Sequence, residues 1–275
     1  MTKTRRDWAT IVVTGAALVR SYPYRITLRQ LHYLLVSSGI GGYVNDESCY
    51  KTLSSRTAAA RRAGFFPALL DQTRDIDRAT SWTSPTEALE TIADWYRRDR
   101  TEDQDWFVVL GGEKATLLAQ LSDWFGDLGL PLVLLRGYSS QTYVDDVAEM
   151  VVTDGRPAVL IYAGDFDPSG EDILRDFLAR CPHFDKVEHV AVLEPQIGSL
   201  GLVEMPGKTT DSRAAGFVAR HGRLVQVEVE AIGPAMLRAL YQTAIDAYWD
   251  ESTYDAVIVR EDAERARLRD ATLGE

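Results

Sequence analysis

Cysteine is almost missing from this chain: Cys49 and Cys181 are the only two in 275 residues. Two cysteines make no disulfide framework, and with four histidines they form no Cys/His zinc spacing. A reducing cytoplasm fits such a composition. Also missing is an apolar run of bilayer length, so no membrane attachment is expected. Lys3, Arg5 and Arg6 precede the apolar stretch from Trp8 to Val19, but Arg20-Ser21-Tyr22-Pro23-Tyr24 offers no small-residue cleavage site. Trp8, Ile11, Val12, Gly15, Leu18 and Val19 instead follow an amphipathic helix. A working P-loop is absent too. Gly207-Lys208-Thr209 has the end of one, but Leu202 stands where the first glycine belongs. There is no internal repeat. What remains is enough chain for one large domain or two ordinary ones.

Charge is unevenly spread. The net charge is −11, yet residues 1–74 carry eleven Lys/Arg against four Asp/Glu. That leaves +7 at the start and −18 on the rest. A basic module on an acidic body suggests a local face for double-stranded DNA. Its densest part is Lys51, Arg56, Arg61 and Arg62.

The basic part reads as three helices followed by an extended tail. The first covers about Thr4–Arg20. Thr27 with Gln30 three residues later is a capping box, opening a helix that stops at Gly39. The third runs from Asn45 or Asp46 to Arg62, and Phe65–Leu70 could form a wing. Three helices with a basic third describe a winged-helix or helix-turn-helix module with a recognition helix. In the second helix Leu28, Leu31, Leu34 and Leu35 share one face. Arg29 and Tyr33 lie opposite them, one turn apart, as an exposed pair. A guanidinium beside a phenol could bind a phosphate and favour the phenolate.

The remainder alternates strand and helix patterns, which argues for a parallel α/β sheet. Trp106–Leu110 is a strand-like run ending in Gly111-Gly112-Glu113-Lys114. Ala158–Ala163 is a second, ending in Gly164-Asp165-Phe166-Asp167-Pro168-Ser169-Gly170. Asp167 fits a helix N-cap with proline at the first helical position. Residues i and i+2 of an extended segment point the same way. Asp165 and Asp167 therefore converge at the carboxyl end of a strand, where open α/β sheets place their ligands. With Glu113 they would hold a hard divalent cation, Mg2+ or alternatively Mn2+. Further strands are expected at Pro131–Leu135 and Val187–Leu193, and helices at Ser84–Arg98, Gln141–Val152 and Pro168–Arg180. The organisation expected is 1–80 a DNA-binding module, 81–104 a bridging helix and linker, and 105–275 the sheet domain with a C-terminal extension.

Arg29-Gln30-Leu31-His32-Tyr33 resembles the Arg-x-x-aromatic-Tyr motif of the topoisomerase VI A subunit and the meiotic double-strand-break transesterase. Gly112-Glu113-Lys114 and Asp165-Phe166-Asp167-Pro168-Ser169-Gly170 resemble that family's Toprim elements. Val227–Ile232 is similar to a late strand of the family. The departures are His32, where the family has Tyr or Phe, and Gly137–Tyr143, which lacks the family's Thr-Arg. The short chain looks most like the stand-alone "mini-A" relatives. The resemblance implies a winged-helix domain followed by a Toprim Rossmann-like domain. It implies Mg2+-dependent DNA cleavage, with Tyr33 as nucleophile, Arg29 on the phosphate, Glu113 in proton transfer or metal binding, and Asp165 and Asp167 on the metal. It further implies a homodimer, in which Tyr33 of one chain meets the metal of the other, an ATPase partner subunit, and a nucleoid-associated cytoplasmic setting.

Three other functions are compatible with these residues. A Toprim nuclease would hydrolyse DNA with metal-bound water and no tyrosyl intermediate. A haloacid-dehalogenase-like phosphatase would use Asp165-x-Asp167-x-Ser169, although that motif normally follows the first strand of its domain. A non-catalytic DNA-binding subunit would use the basic module alone.

Overall fold

The computed structural model describes residues 6–70 and 79–273. The first described unit is three helices: α1 (Trp8–Ser21), α2 (Leu28–Ser38) and α3 (Glu47–Arg62). Side-chain caps set their starts. Asp7 accepts from the Thr10 N–H and Asp46 from the Cys49 N–H. Thr27 and Gln30 complete both halves of the expected capping box. Gly39 ends α2 in the left-handed conformation, where a side chain would be strained. Ile11, Leu31, Leu35, Tyr43, Leu53 and Phe66 close the core of this unit. The expected wing reduces to one parallel bridge between Leu70 and Thr27, because Phe65–Leu69 pair with no other described strand.

After α4 (Pro85–Trp95) come β1 (Phe107–Gly112), α5 (Ala115–Phe125), β2 (Leu132–Leu134), α6 (Gln141–Asp154), β3 (Ala158–Ala163), α7 (Pro168–Arg180) and β4 (Lys186–Ala191). Then follow α8 (Glu194–Ser199), the antiparallel pair β5 (Met205–Pro206) and β6 (Val225–Gln226) with α9 (Ala214–His221) between them, α10 (Pro234–Asp246) and α11 (Glu251–Leu273). The main sheet is all parallel, in the order β2-β1-β3-β4. Its two central strands, β1 and β3, are buried on both sides, as their near-continuous apolar runs require. Val108, Leu110, Val159 and Ile161 pack with Leu121 of α5 and Leu237, Tyr241 and Ile245 of α10. Val109, Leu160 and Tyr162 pack on the other face with Val144 and Val147 of α6 and Ile173 and Phe177 of α7. The architecture is a Rossmann-like α/β layering.

Strand order positions the site. From β1 the chain crosses to β2 on one side, and from β3 to β4 on the other. The crevice this reversal opens lies between the carboxyl ends of β1 and β3, which is where such sheets bind ligands. Glu113 follows β1 and Asp165 follows β3.

The expected late strand at Val227–Ile232 is not continuous. Val227 bridges Phe166, and the chain then turns into a 3-10 segment at Val229–Ala231. At that turn the Val229 N–H donates to Asp165 Oδ1 (2.8 Å) instead of to a neighbouring strand. The charged C-terminal segment is the helix α11, held on the α4 side by a buried ion cluster. The fully buried Glu261 carboxylate meets Arg100 Nη2 at 2.7 Å and Arg265 Nη2 at 2.6 Å. Such a cluster orients α11 but adds modest net stability once desolvation is counted.

Candidate active site

Glu113 and Asp165 meet across the crevice. The Asp165 N–H donates to Glu113 Oε2 at 2.7 Å. Gly170 makes this approach possible, because a Cβ there would strike the Asp165 carbonyl oxygen. Asp165 Oδ2 lies 3.0 Å from Lys114 Nζ. Lys114 also contacts Glu228 Oε2 at 3.3 Å and Glu230 Oε2 at 2.6 Å. Glu228 in turn pairs with Arg29 of α2. Asp167 has a different role: its Oδ1 accepts from the N–H groups of Ser169 (2.9 Å) and Gly170 (2.8 Å) as the N-cap of α7.

Burial, and secondarily the Asp165 charge, pushes the Glu113 carboxyl from 4.5 up to about 7. Burial also raises Asp165, opposed by the Lys114 ammonium. Lys114 is raised by Glu230, Asp165 and Glu228, against the desolvation that would lower it. The neighbouring Tyr162 hydroxyl is buried and has no hydrogen-bond partner among the described residues.

Two cations, Arg29 and Lys114, thus face four carboxylates: Glu113, Asp165, Glu228 and Glu230. Glu113 and Asp165 bring hard oxygen donors, the kind that Mg2+ or Mn2+ takes. Among the described residues no group of three or more His, Cys, Asp or Glu side chains is arranged to hold a metal. Asp167, the third expected ligand, uses Oδ1 to cap α7.

These shifts give a stability prediction. A carboxyl whose folded pKa exceeds its unfolded value keeps its proton while the unfolded chain has lost it. Stability therefore falls as pH rises between about 4.5 and about 7, and levels above that window. Melting curves in chelator from pH 4 to 8 should show this fall for the parent protein and a shallower one for Glu113→Gln. Equal slopes would mean that Glu113 is not held protonated.

Tyr33 is not exposed, contrary to the expectation from the helix pattern. Only 5% of it is accessible. The face of α2 opposite the leucines packs against the α/β body. There the Gln30 and Gln120 amides exchange hydrogen bonds of 2.8 and 2.6 Å, and Arg29 reaches Glu228. Tyr33 still borders an open cleft with Arg29, His32, Asn45, Tyr50 and Glu228. Burial, then the Glu228 charge, pushes its hydroxyl up to about 12, while Arg29 and Lys114 pull it down. His32, the departure from the family motif, bonds Tyr43 Oη (2.7 Å) and Asn45 Oδ1 (3.0 Å) and packs edge-on to Tyr33.

The basic residues of α3 are all exposed. Lys51 pairs with Glu47 (2.7 Å), and the Arg56 guanidinium lies over the Trp8 ring at 5.3 Å. Arg61 and Arg62 make no ion pair among the described residues.

Sequence reasoning assigned no role to Lys114, Glu228 or Glu230. Nor did it find His221, whose Nε2 and Nδ1 face Glu171 (2.7 Å) and Glu194 (2.9 Å). Its ring packs on Phe166 between the two aspartates. No family model matches this chain, and no curated protein matches it. Among the described residues no helix is long and apolar enough to cross a membrane.

Proposed function

We propose that this chain is a Mg2+-dependent DNA-cleaving protein similar to the topoisomerase VI A subunit, with a Toprim-like sheet domain and a winged-helix-like α1–α3 module. The observation that carries this reading is the meeting of Glu113 and Asp165 at the switch point of the sheet, with Arg29 and Tyr33 brought to the same edge. Glu113 and Asp165 would hold the cation, which when bound supplies charge stabilisation at the reacting phosphate. Arg29 binds a phosphate oxygen. The Tyr33 oxygen attacks phosphorus, its O–P bond forms, and the sugar oxygen leaves and takes up a proton. Glu113, with its raised pKa, is placed to exchange protons near neutrality. A homodimer and an ATPase partner belong to this reading by resemblance.

Hydrolysis without a tyrosyl intermediate is the second reading. The burial of Tyr33 and its raised pKa favour it, because a protonated phenol is a weak nucleophile. Supercoiled DNA incubated with the protein and Mg2+ or Mn2+ tests both. Protein-linked ends support transesterification, free ends support hydrolysis, and uncut DNA with measurable binding leaves a non-catalytic DNA-binding subunit.

The DNA face is proposed to include α3. An Arg61→Ala, Arg62→Ala double variant should bind duplex DNA more weakly at every sequence. The slope of log K against log salt should shrink by about two units if both contact phosphates. Unchanged affinity and slope in a fluorescence-anisotropy titration would remove α3 from the interface.

A further inference from the structure

We infer that Arg29 and Lys114 form a phosphate-binding site across the two parts of the chain, and that the Glu228 carboxylate occupies it as an internal stand-in for a phosphodiester. The inference rests on the proposed DNA function for its ligand, but not for its geometry. One carboxylate oxygen, Glu228 Oε2, is bound at once by the Arg29 guanidinium from α2 and the Lys114 ammonium (3.3 Å) from the turn after β1. A single anionic oxygen held between two cations is how a phosphate oxygen is held. Lys114 has two further carboxylates, Asp165 and Glu230, and keeps both if Glu228 leaves. Among the described residues Arg29 pairs with no carboxylate but Glu228.

The location fits displacement. The Glu228–Arg29 pair borders the open cleft that Tyr33 and Tyr50 also line. The Arg29 side chain is 43% exposed and Glu228 only 15%, so an incoming anion reaches the pair from the Arg29 side. An incoming phosphodiester brings the same charge and more acceptor oxygens. Once it takes the two cations, Glu228 is repelled, and the contact joining α2 to the 3-10 segment at Val229–Ala231 opens. Glu228 thus holds the site closed until a phosphate arrives. Its departure also removes the negative charge that raises the Tyr33 hydroxyl, and leaves the cations that lower it.

The test is done in chelator, so that neither a divalent cation nor cleavage enters. Binding of a mixed-sequence duplex oligonucleotide is measured by anisotropy for the parent protein, Glu228→Gln, and Glu228→Gln combined with Arg29→Gln. Glu228→Gln should bind at least about tenfold tighter, because a like charge facing the incoming phosphate is gone. Its salt slope should steepen by about one unit, for the Arg29 charge released to DNA. The added Arg29→Gln should cancel the gain. Inorganic phosphate is the second probe, read as a rise in melting temperature. If no protein binds DNA but phosphate stabilises Glu228→Gln in an Arg29-dependent way, the anion site stands and the nucleic-acid reading falls. If Glu228→Gln binds both probes no better than the parent, the stand-in role is overturned. Should Glu228→Gln fail to fold, hydrogen exchange on the parent decides. Phosphate should speed exchange at Val229–Ala231, and unchanged exchange there overturns the inference.

Discussion

Asp165→Asn is expected to abolish divalent-cation-dependent DNA cleavage while leaving the chain folded. The two halves of that expectation have separate physical bases. Asp165 Oδ1 accepts the Val229 N–H, and an asparagine carbonyl oxygen can still do so. Asp165→Ala would leave that buried donor without a partner, at a cost of roughly 1–3 kcal/mol. Asparagine is therefore the cleaner probe. The lost charge is the one that pairs with Lys114 and stands beside Glu113, so the cation loses an anionic donor. Metal stabilisation of a phosphoryl transition state is worth several kcal/mol, so the rate should fall roughly a thousandfold or more. Nicking of supercoiled plasmid measures the rate, and a melting curve checks the fold. A folded Asp165→Asn that cuts within about tenfold of the parent, a difference near 1.4 kcal/mol, would place the chemistry elsewhere.

Much of the fold was legible because local chemistry sets it. Pro168–Arg180 is the helix expected, since Asp167 caps it and proline opens it. The capping box at Thr27 and Gln30 fixes the start of α2 in the same way. The nearness of Glu113 and Asp165 was only half legible. Each lies at a strand end by local pattern, but their contact depends on β1 and β3 being neighbours, which 45 residues of intervening chain do not reveal. The environment of Tyr33 was not legible. Helical periodicity identifies the face opposite the leucines, yet it does not say that Gln120 and Glu228 cover that face. Glu228 and Glu230 were hidden because the backbone leaves the expected strand there, drawn into a turn by the Val229 hydrogen bond to Asp165. The basic charge of the first 74 residues also overstates what is free, since Arg29 and Arg56 are engaged within the chain.

Tyr33→Phe is the variant that separates the two cleavage chemistries, and the expected result is loss of cutting with DNA and cation binding retained. The Tyr33 hydroxyl makes no hydrogen bond among the described residues, and the ring packs edge-on to His32 at 5.1 Å. Phenylalanine keeps that packing, so the fold and the neighbouring carboxylates stay in place. Only the attacking oxygen is removed. Loss of a nucleophile should lower the rate by at least about a thousandfold. Denatured reactions of the parent should carry DNA ends on the protein, and the variant should carry none. The high pKa of Tyr33 adds a second readout. A phenol pushed up to about 12 and used as nucleophile makes the cutting rate climb with pH through neutrality as the phenolate fraction grows. Glu228→Gln should shift that climb to lower pH, because it removes the charge that opposes ionisation. If Tyr33→Phe cuts like the parent and no adduct forms, the ring serves only to pack α2 on the sheet domain. Glu113 and Asp165 then carry a hydrolytic reaction.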